Sequence, residues 1–265
     1  MLNGNVPQLI KDENSAFQMV AMSVLGDRDD QQDSFGYGLM QEEGLVVVCD
    51  GMGGHEGGKM ASELAADLFL ERYGQMDPQE NPLSMLLTAA KRADEGISQL
   101  KDRNGECLRA GSTLVSVLVS RRKLLWCSVG DSRAYLMRGG EMVQLTLDHN
   151  YHTVLIGKRN AGLLDEAAFR EESARGEALI SFLGIGNLAL VDYSETPLEI
   201  MRDDKIILMS DGLYKLVSDS EIARILDNFQ NIADAVQALE MKARKNAKLN
   251  AVARDNMTVA ILKIK

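Results

Sequence analysis

The chain has 265 residues, 45% of them hydrophobic and only four prolines, which suits a folded chain with a sizeable core and excludes disorder as its normal state. Lys and Arg number 29 against 39 Asp and Glu, and the resulting net charge of -10 argues against nucleic acid as a partner. Cys49, Cys107 and Cys127 cannot all pair and form no C-x-x-C, so a reducing, cytoplasmic setting is expected. The opening stretch MLNGNVPQLIKDENSAFQMV lacks a basic start followed by an apolar block, so no secretory leader is expected. The longest apolar runs, such as LVVVC, are too short to span a bilayer, and no membrane partner is expected.

In chain order, residues 18–25, 35–40 and 45–49 read as strands, the last fully buried. From Gly57 to Tyr73 the period becomes helical, with Met60, Leu64 and Leu68 four apart. A second helix is predicted from about Pro82 to Lys101, with Leu86, Ala90, Ala93, Ile97 and Leu100 on one face. STLVSVLVS, LLWCSV, RAYLMR and EMVQL then form short strands joined by tight turns, which imply antiparallel pairing. Residues 150–188 read as irregular, with a charged helical piece near 165–173. Strands are predicted at 198–201, 205–209 and 257–264, and helices near 218–228 and 231–247. Strands segregated from helix pairs indicate an α+β fold, with helices covering a sheet sandwich. No repeat or linker divides the chain, so one domain over 1–265 is expected.

Cys127-Ser-Val-Gly-Asp-Ser-Arg133 fits the C-x-x-G-x-x-R spacing of a thiolate phosphatase loop. Such a loop joins a strand to a helix whose N-terminus helps to bind the anion. Here Arg133 is followed by a hairpin pattern, and Cys127 lies in an apolar strand where an inert thiol is expected. The carboxylates carry more. Asp50, Asp131, Asp211 and Asp255 each fall at the end of an apolar run, three of them beside glycine or serine. Turn chemistry explains any one of these aspartates. Four together suggest a cluster, which would take up protons unless a cation sits within it. Oxygen ligands without histidine or thiolate favour Mg²⁺ or Mn²⁺.

The blocks GDRDDQQDSF, VVVCDGMGGHEGGKMAS, AGSTLV, VGDSRAYL, LTLDHN, LMSDGL and ARDNMTVAIL occur in this order along nearly the whole chain. In these blocks the chain resembles the metal-dependent serine/threonine protein phosphatases of the PPM, or phosphatase 2C, type in their bacterial form. The resemblance implies a four-layer α-β-β-α sandwich of two antiparallel sheets covered by helix pairs, with a flap-like insertion at about 150–188. It implies hydrolysis of phosphoserine and phosphothreonine in proteins by a metal-activated water, opposing a Ser/Thr kinase. Two Mn²⁺ or Mg²⁺ ions are expected, bridged by Asp50, with Asp211 and Asp255 completing one site and the Gly51 carbonyl serving the other. Asp33 would hydrogen-bond a metal-bound water, and Arg28 would hold the substrate phosphate. Asp131, with Asp211, would contribute to a third and weaker ion. A monomer is expected.

The alternative is a catalytically weak relative that serves as a regulatory or binding module, against which the retained aspartates argue. Gln31 stands where the family usually has asparagine, Met52 where eukaryotic relatives carry a histidine, Lys59 where a glutamate is frequent and Lys215 where an aspartate is common. His55, His149 and His152 are read as structural, and the 14 methionines as core filling.

Overall fold

The computed structural model describes residues 7–54, 56–77 and 79–265. In chain order the strands are β1 (Gln8–Glu13), β2 (Phe17–Val24), β3 (Asp33–Leu39), β4 (Glu43–Gly53), β5 (Ala110–Ser112), β6 (Leu114–Ser120) and β7 (Lys123–Val129). They continue as β8 (Arg133–Arg138), β9 (Glu141–Gln144), β10 (Asp192–Tyr193), β11 (Leu198–Glu199), β12 (Lys205–Met209) and β13 (Met257–Ile264). One six-stranded sheet has the order β1-β2-β13-β12-β8-β9. The seven-stranded sheet runs β10-β7-β6-β4-β3, with β5 on β4 and β11 on β7. All pairings are antiparallel.

The central strands read as unbroken apolar runs because both of their faces are buried. On β2, Val20, Met22 and Val24 face one core while Phe17, Met19 and Ala21 face another. On β4, Leu45, Val47 and Cys49 alternate in the same way with Val46 and Val48. The shared core, with Val46, Val48, Leu208 and Leu262, lies between the sheets. Each outer face is covered by helices. Helices α1 (Gly57–Gly74) and α2 (Pro82–Ser98) pack on the seven-stranded sheet. Helices α6 (Asp219–Asn228) and α7 (Ile232–Asn250) pack on the six-stranded one. The order of layers is therefore α-β-β-α, as expected. Local signals start these helices. Asn81 caps α2 by accepting from Leu83 N–H (2.9 Å), with Pro82 in the first turn, and Ser218 and Glu221 form a capping box on α6.

Four details differ from the sequence reading. Strand β4 continues through Asp50 to Gly53, so Asp50 lies within a strand and not at its end. Its N–H bonds to Thr113 Oγ1 (2.9 Å), which replaces a ladder partner. The stripe of α1 is Ala61, Ala65, Phe69 and Tyr73, shifted from Met60, Leu64 and Leu68, because small residues let the helix sit close to β3 and β4. The stretch read as irregular also holds α3 (Tyr151–Asn160), capped by Asn150, while the charged helical piece expected near 165–173 is present as α4 (Glu166–Glu172). Only Leu155 of α3 is buried, too few apolar positions to give a period. Finally, β12 leads into the short helix α5 (Asp211–Tyr214).

Candidate active site

The site forms at one end of the sandwich, where both sheets contribute. Asp33 and Asp50 come from the seven-stranded sheet and are paired in register across β3 and β4. Asp211 opens α5 at the end of β12, and Asp255 lies two positions before β13, in the other sheet. Asp131 sits in the turn that joins β7 to β8. Two glycines allow the elements to approach this closely. A Cβ on Gly51 would lie 2.0 Å from the Gly58 carbonyl oxygen, at the start of α1. One on Gly212 would lie 2.0 Å from the Asn256 carbonyl oxygen, beside Asp255. Each Asp-Gly pair thus combines a carboxylate with a backbone crossing that admits no side chain.

Asp50, Gly51, Asp131, Asp211, Asp255 and Arg28 line one cavity of about 530 Å³. Asp33 stands behind this wall, 6% exposed, its Oδ2 accepting from Ser210 Oγ (2.7 Å). Sequence reasoning missed several supports. Asn256 accepts from Gln32 N–H (2.8 Å) and donates to the carbonyls of Leu25 (2.8 Å) and Asp30 (3.0 Å), locking the loop that carries Arg28. Its signal is its place beside Asp255, just before an apolar strand. Thr113 and Ser210 hold Asp50 and Asp33, and their signal is that they lie within the blocks AGSTLV and LMSDGL. Gln31 donates to Ser23 Oγ on β2 (2.9 Å) and accepts from Asp33 N–H (3.0 Å), so the longer side chain bridges two strands. Lys59 pairs with Glu63 one turn along α1 (3.7 Å).

The electrostatics are those of like charges confined together. Burial pushes Asp50 well above the usual carboxylate range, and Asp33, Asp211, Asp131 and Asp255 push it further. Asp33 is raised to about 7, by burial first, with the Ser210 hydroxyl opposing and Asp211 and Asp255 adding. Asp131 is raised to about 6 by burial and then by Asp211, while the Lys215 ammonium acts the other way. Among the described residues, no group of three His, Cys, Asp or Glu side chains is drawn to metal-holding distance. Two carboxylates turn to the protein's own cations. Arg28 Nη2 is 2.6 Å from Asp255 Oδ2, and Lys215 Nζ is 2.7 Å from Asp211 Oδ2 and 2.6 Å from Glu177 Oε2. Asp33 Oδ1 and Asp211 Oδ1 are buried without a hydrogen-bond partner. Orphaned carboxylate oxygens in a dense anionic set suit hard divalent cations.

The cysteine loop is not a phosphate site. Cys127 is fully buried, its thiol pushed up to about 12 by burial. Arg133 is engaged by Asp148 (2.7 Å) and stacks 3.7 Å over the Tyr214 ring. His149 Nδ1 accepts from Gly130 N–H (3.2 Å), whereas the His152 ring packs tilted against Phe169 (centroids 5.8 Å apart), so the two histidines are engaged separately. His55 lies outside the described residues.

Residues 12–153 match the family model of protein phosphatase 2C. The serine/threonine phosphatase Stp of Listeria innocua is 28% identical over 221 residues, covering 82% of this chain and 83% of that protein. The crystal structure of the Mycobacterium tuberculosis serine/threonine phosphatase PstP superposes with a TM-score of 0.79 at 26% identity, over 94% of this chain and 99% of that one. The catalytic domain of PstP in complex with two manganese ions gives a TM-score of 0.75 at 26% identity, over 94% and 98% of the chains.

Proposed function

The chain belongs to the protein phosphatase 2C family, as a metal-dependent protein-serine/threonine phosphatase acting on phosphoproteins, and from that premise we propose the roles of its residues. Asp50, Asp211, Asp255 and the Gly51 carbonyl would hold two Mn²⁺ or Mg²⁺ ions, with Asp50 shared between them, Asp211 and Asp255 at one and the Gly51 carbonyl at the other. The ions supply charge neutralisation at phosphorus and an activated water. Asp33, held by Ser210 and Gln31, would accept a hydrogen bond from that water and orient it. Arg28, 60% exposed on the cavity rim, leaves Asp255 and binds the phosphate oxygens of the substrate. The segment 150–188 contributes Glu177 and Leu179 to the cavity wall, where they meet the polypeptide around the phosphorylated residue.

The observation that supports this reading most strongly is the convergence of Asp50, Asp131, Asp211 and Asp255 on one cavity with Arg28 at its rim. We place the enzyme in the cytoplasm as a single-domain monomer that opposes a Ser/Thr kinase. No helix of the described residues is long and apolar enough to cross a membrane, and none of the three cysteines is in a disulfide. Hydrolysis of p-nitrophenyl phosphate and of a phosphothreonine peptide tests the proposal. Turnover with Mn²⁺, loss with EDTA and indifference to thiol alkylation are expected. Turnover that survives EDTA but not alkylation would reject it.

A further inference from the structure

The residues on either side of Asp255 both reach back to one loop. Residues 25–32 join β2 to β3 and carry Arg28. Asn256, after Asp255, holds this loop at Leu25, Asp30 and Gln32. Arg254, before Asp255, holds it at Asp27. The Arg254 Nη2 and Nε donate to Asp27 Oδ1 (2.6 Å) and Oδ2 (3.4 Å), and the Arg254 N–H donates to Oδ2 (2.9 Å). In return the Asp27 N–H donates to the Arg254 carbonyl (3.0 Å). A guanidinium fork joined by two main-chain bonds fixes direction as well as distance, which a lone surface ion pair does not. The Arg254 guanidinium holds the Asp27 carboxyl below the usual carboxylate range.

Two Arg–Asp pairs thus join the same two segments, one position apart. Asp27–Arg254 is the fixed pair. Arg254 is 21% exposed, and its Nη1 lies 3.7 Å from Glu240 Oε1 on α7, so the grip is tied to the helix layer. Arg28–Asp255 is the loose pair, a single contact of 2.6 Å at the cavity rim. Among the described residues, nothing else holds the Arg28 guanidinium. An arginine on an unanchored loop would have to order its backbone as well as its side chain whenever it met a phosphate. The Asp27–Arg254 grip does that ordering beforehand.

We propose that Asp27 and Arg254 are positioning residues for Arg28. They hold its backbone at a fixed offset from Asp255, so that only the guanidinium moves when it exchanges the Asp255 carboxylate for a substrate phosphate; this catalytic half rests on the function proposed above. Each member of the fixed pair is covalently next to one member of the working pair, so slack in the first passes directly to the second. Asp255 has supports of its own, in Asn256 and in the pairing of β13 with β2 from Met257 onward. Loss of the grip should therefore reach Arg28 and spare the metal ligand.

The experiment uses the full chain with Mn²⁺ and p-nitrophenyl phosphate. Asp27→Asn keeps an acceptor for the Arg254 N–H but removes the charge that the guanidinium meets, and Arg254→Met keeps the apolar stem but removes the fork. Each should lower kcat/KM about three- to tenfold. In an Arg28→Ala background, which has no guanidinium to position, each should change kcat/KM by less than about twofold. Mn²⁺ affinity by calorimetry should be unchanged in both single variants. In EDTA, hydrogen–deuterium exchange of residues 25–32 should quicken in both, while exchange in β2 and β3 stays at the wild-type rate. Wild-type kcat/KM in the single variants, or an equal loss in both backgrounds, would overturn the proposal. So would a fall in Mn²⁺ affinity that matches the loss of kcat/KM, since the pair would then serve Asp255. Unchanged exchange of residues 25–32 would overturn it without reference to turnover. Absence of turnover in the wild type would instead reject the phosphatase reading, and the exchange would still decide whether the pair holds the loop.

Discussion

Asp33 and Asp50 stand directly opposite one another on adjacent antiparallel strands, two acids on one face of a sheet. Like charges in that position are destabilising, and burial makes them more so. The raised carboxylates, Asp33 at about 7 and Asp131 at about 6, bind protons in the folded state that the unfolded chain has released. Their contribution is therefore present below about pH 4 and is lost as pH rises through those values. The metal-free protein should be less stable at pH 8 than at pH 5.5. Saturating Mn²⁺ should flatten or reverse that slope, because the ions replace the protons. Urea unfolding at the two pH values, with EDTA and with Mn²⁺, checks this.

Removing one charge tests the same cluster through activity. Asp50→Asn and Asp211→Asn should each lower kcat at least a hundredfold with the fold retained. Cys127→Ser should stay within several-fold, since its thiol is buried and inert. Circular dichroism and p-nitrophenyl phosphate kinetics separate loss of fold from loss of chemistry.

Arg28→Ala removes a guanidinium that rests on Asp255 at 2.6 Å. A charged hydrogen bond contributes about 1.5–3 kcal/mol, so kcat/KM should fall roughly ten- to hundredfold. Metal affinity by calorimetry should hold or rise, because Asp255 is freed of its competitor. An unchanged kcat/KM would show that Arg28 does not touch the phosphate.

Lys215 holds Asp211 and Glu177 with one ammonium, beside Asp131. A cation there opposes a third metal ion. Its own exposure of 42% lets water screen part of the effect. The wild type should bind two ions tightly, and Lys215→Asp should strengthen a third at least tenfold, lost again with Asp131→Ala. Three tight ions in the wild type by calorimetry would refute this.

Asp94 of α2 is 1% exposed and accepts from Gly184 (2.7 Å), Gly186 (3.1 Å) and Leu188 (3.1 Å) N–H groups, tying down the end of the 150–188 segment. Asp94→Ala leaves three amides unpaired and should destabilise by about 2–4 kcal/mol. Limited proteolysis should then cut near residues 184–188 before any other site.

The carboxylates were legible because they punctuate apolar runs, and the layers because helix pairs separate from strands. What escaped depends on contacts that no period encodes. The Asn256 bonds reach back to Gln32, Leu25 and Asp30, more than 200 positions away in the chain. Helix α3 buries one side chain, so its periodicity is faint. Asp50 looked terminal because Asp-Gly reads as a turn, yet Thr113 and the pairing with β5 carry the strand past it. Lys215 was visible as a departure, but its grip on Glu177 was not, since nothing local joins residues 177 and 215.

Strand β13 lies between β2 and β12, at the centre of its sheet, and Asp255 just precedes it. On the ribosome, a chain halted before residue 255 has a gap where that strand belongs and one aspartate too few. Neither the layer nor the carboxylate cluster can close until residues 255–264 have emerged. Residues 255–264 therefore tie the centre of one sheet to the carboxylate cluster, and a chain lacking them loses both at once.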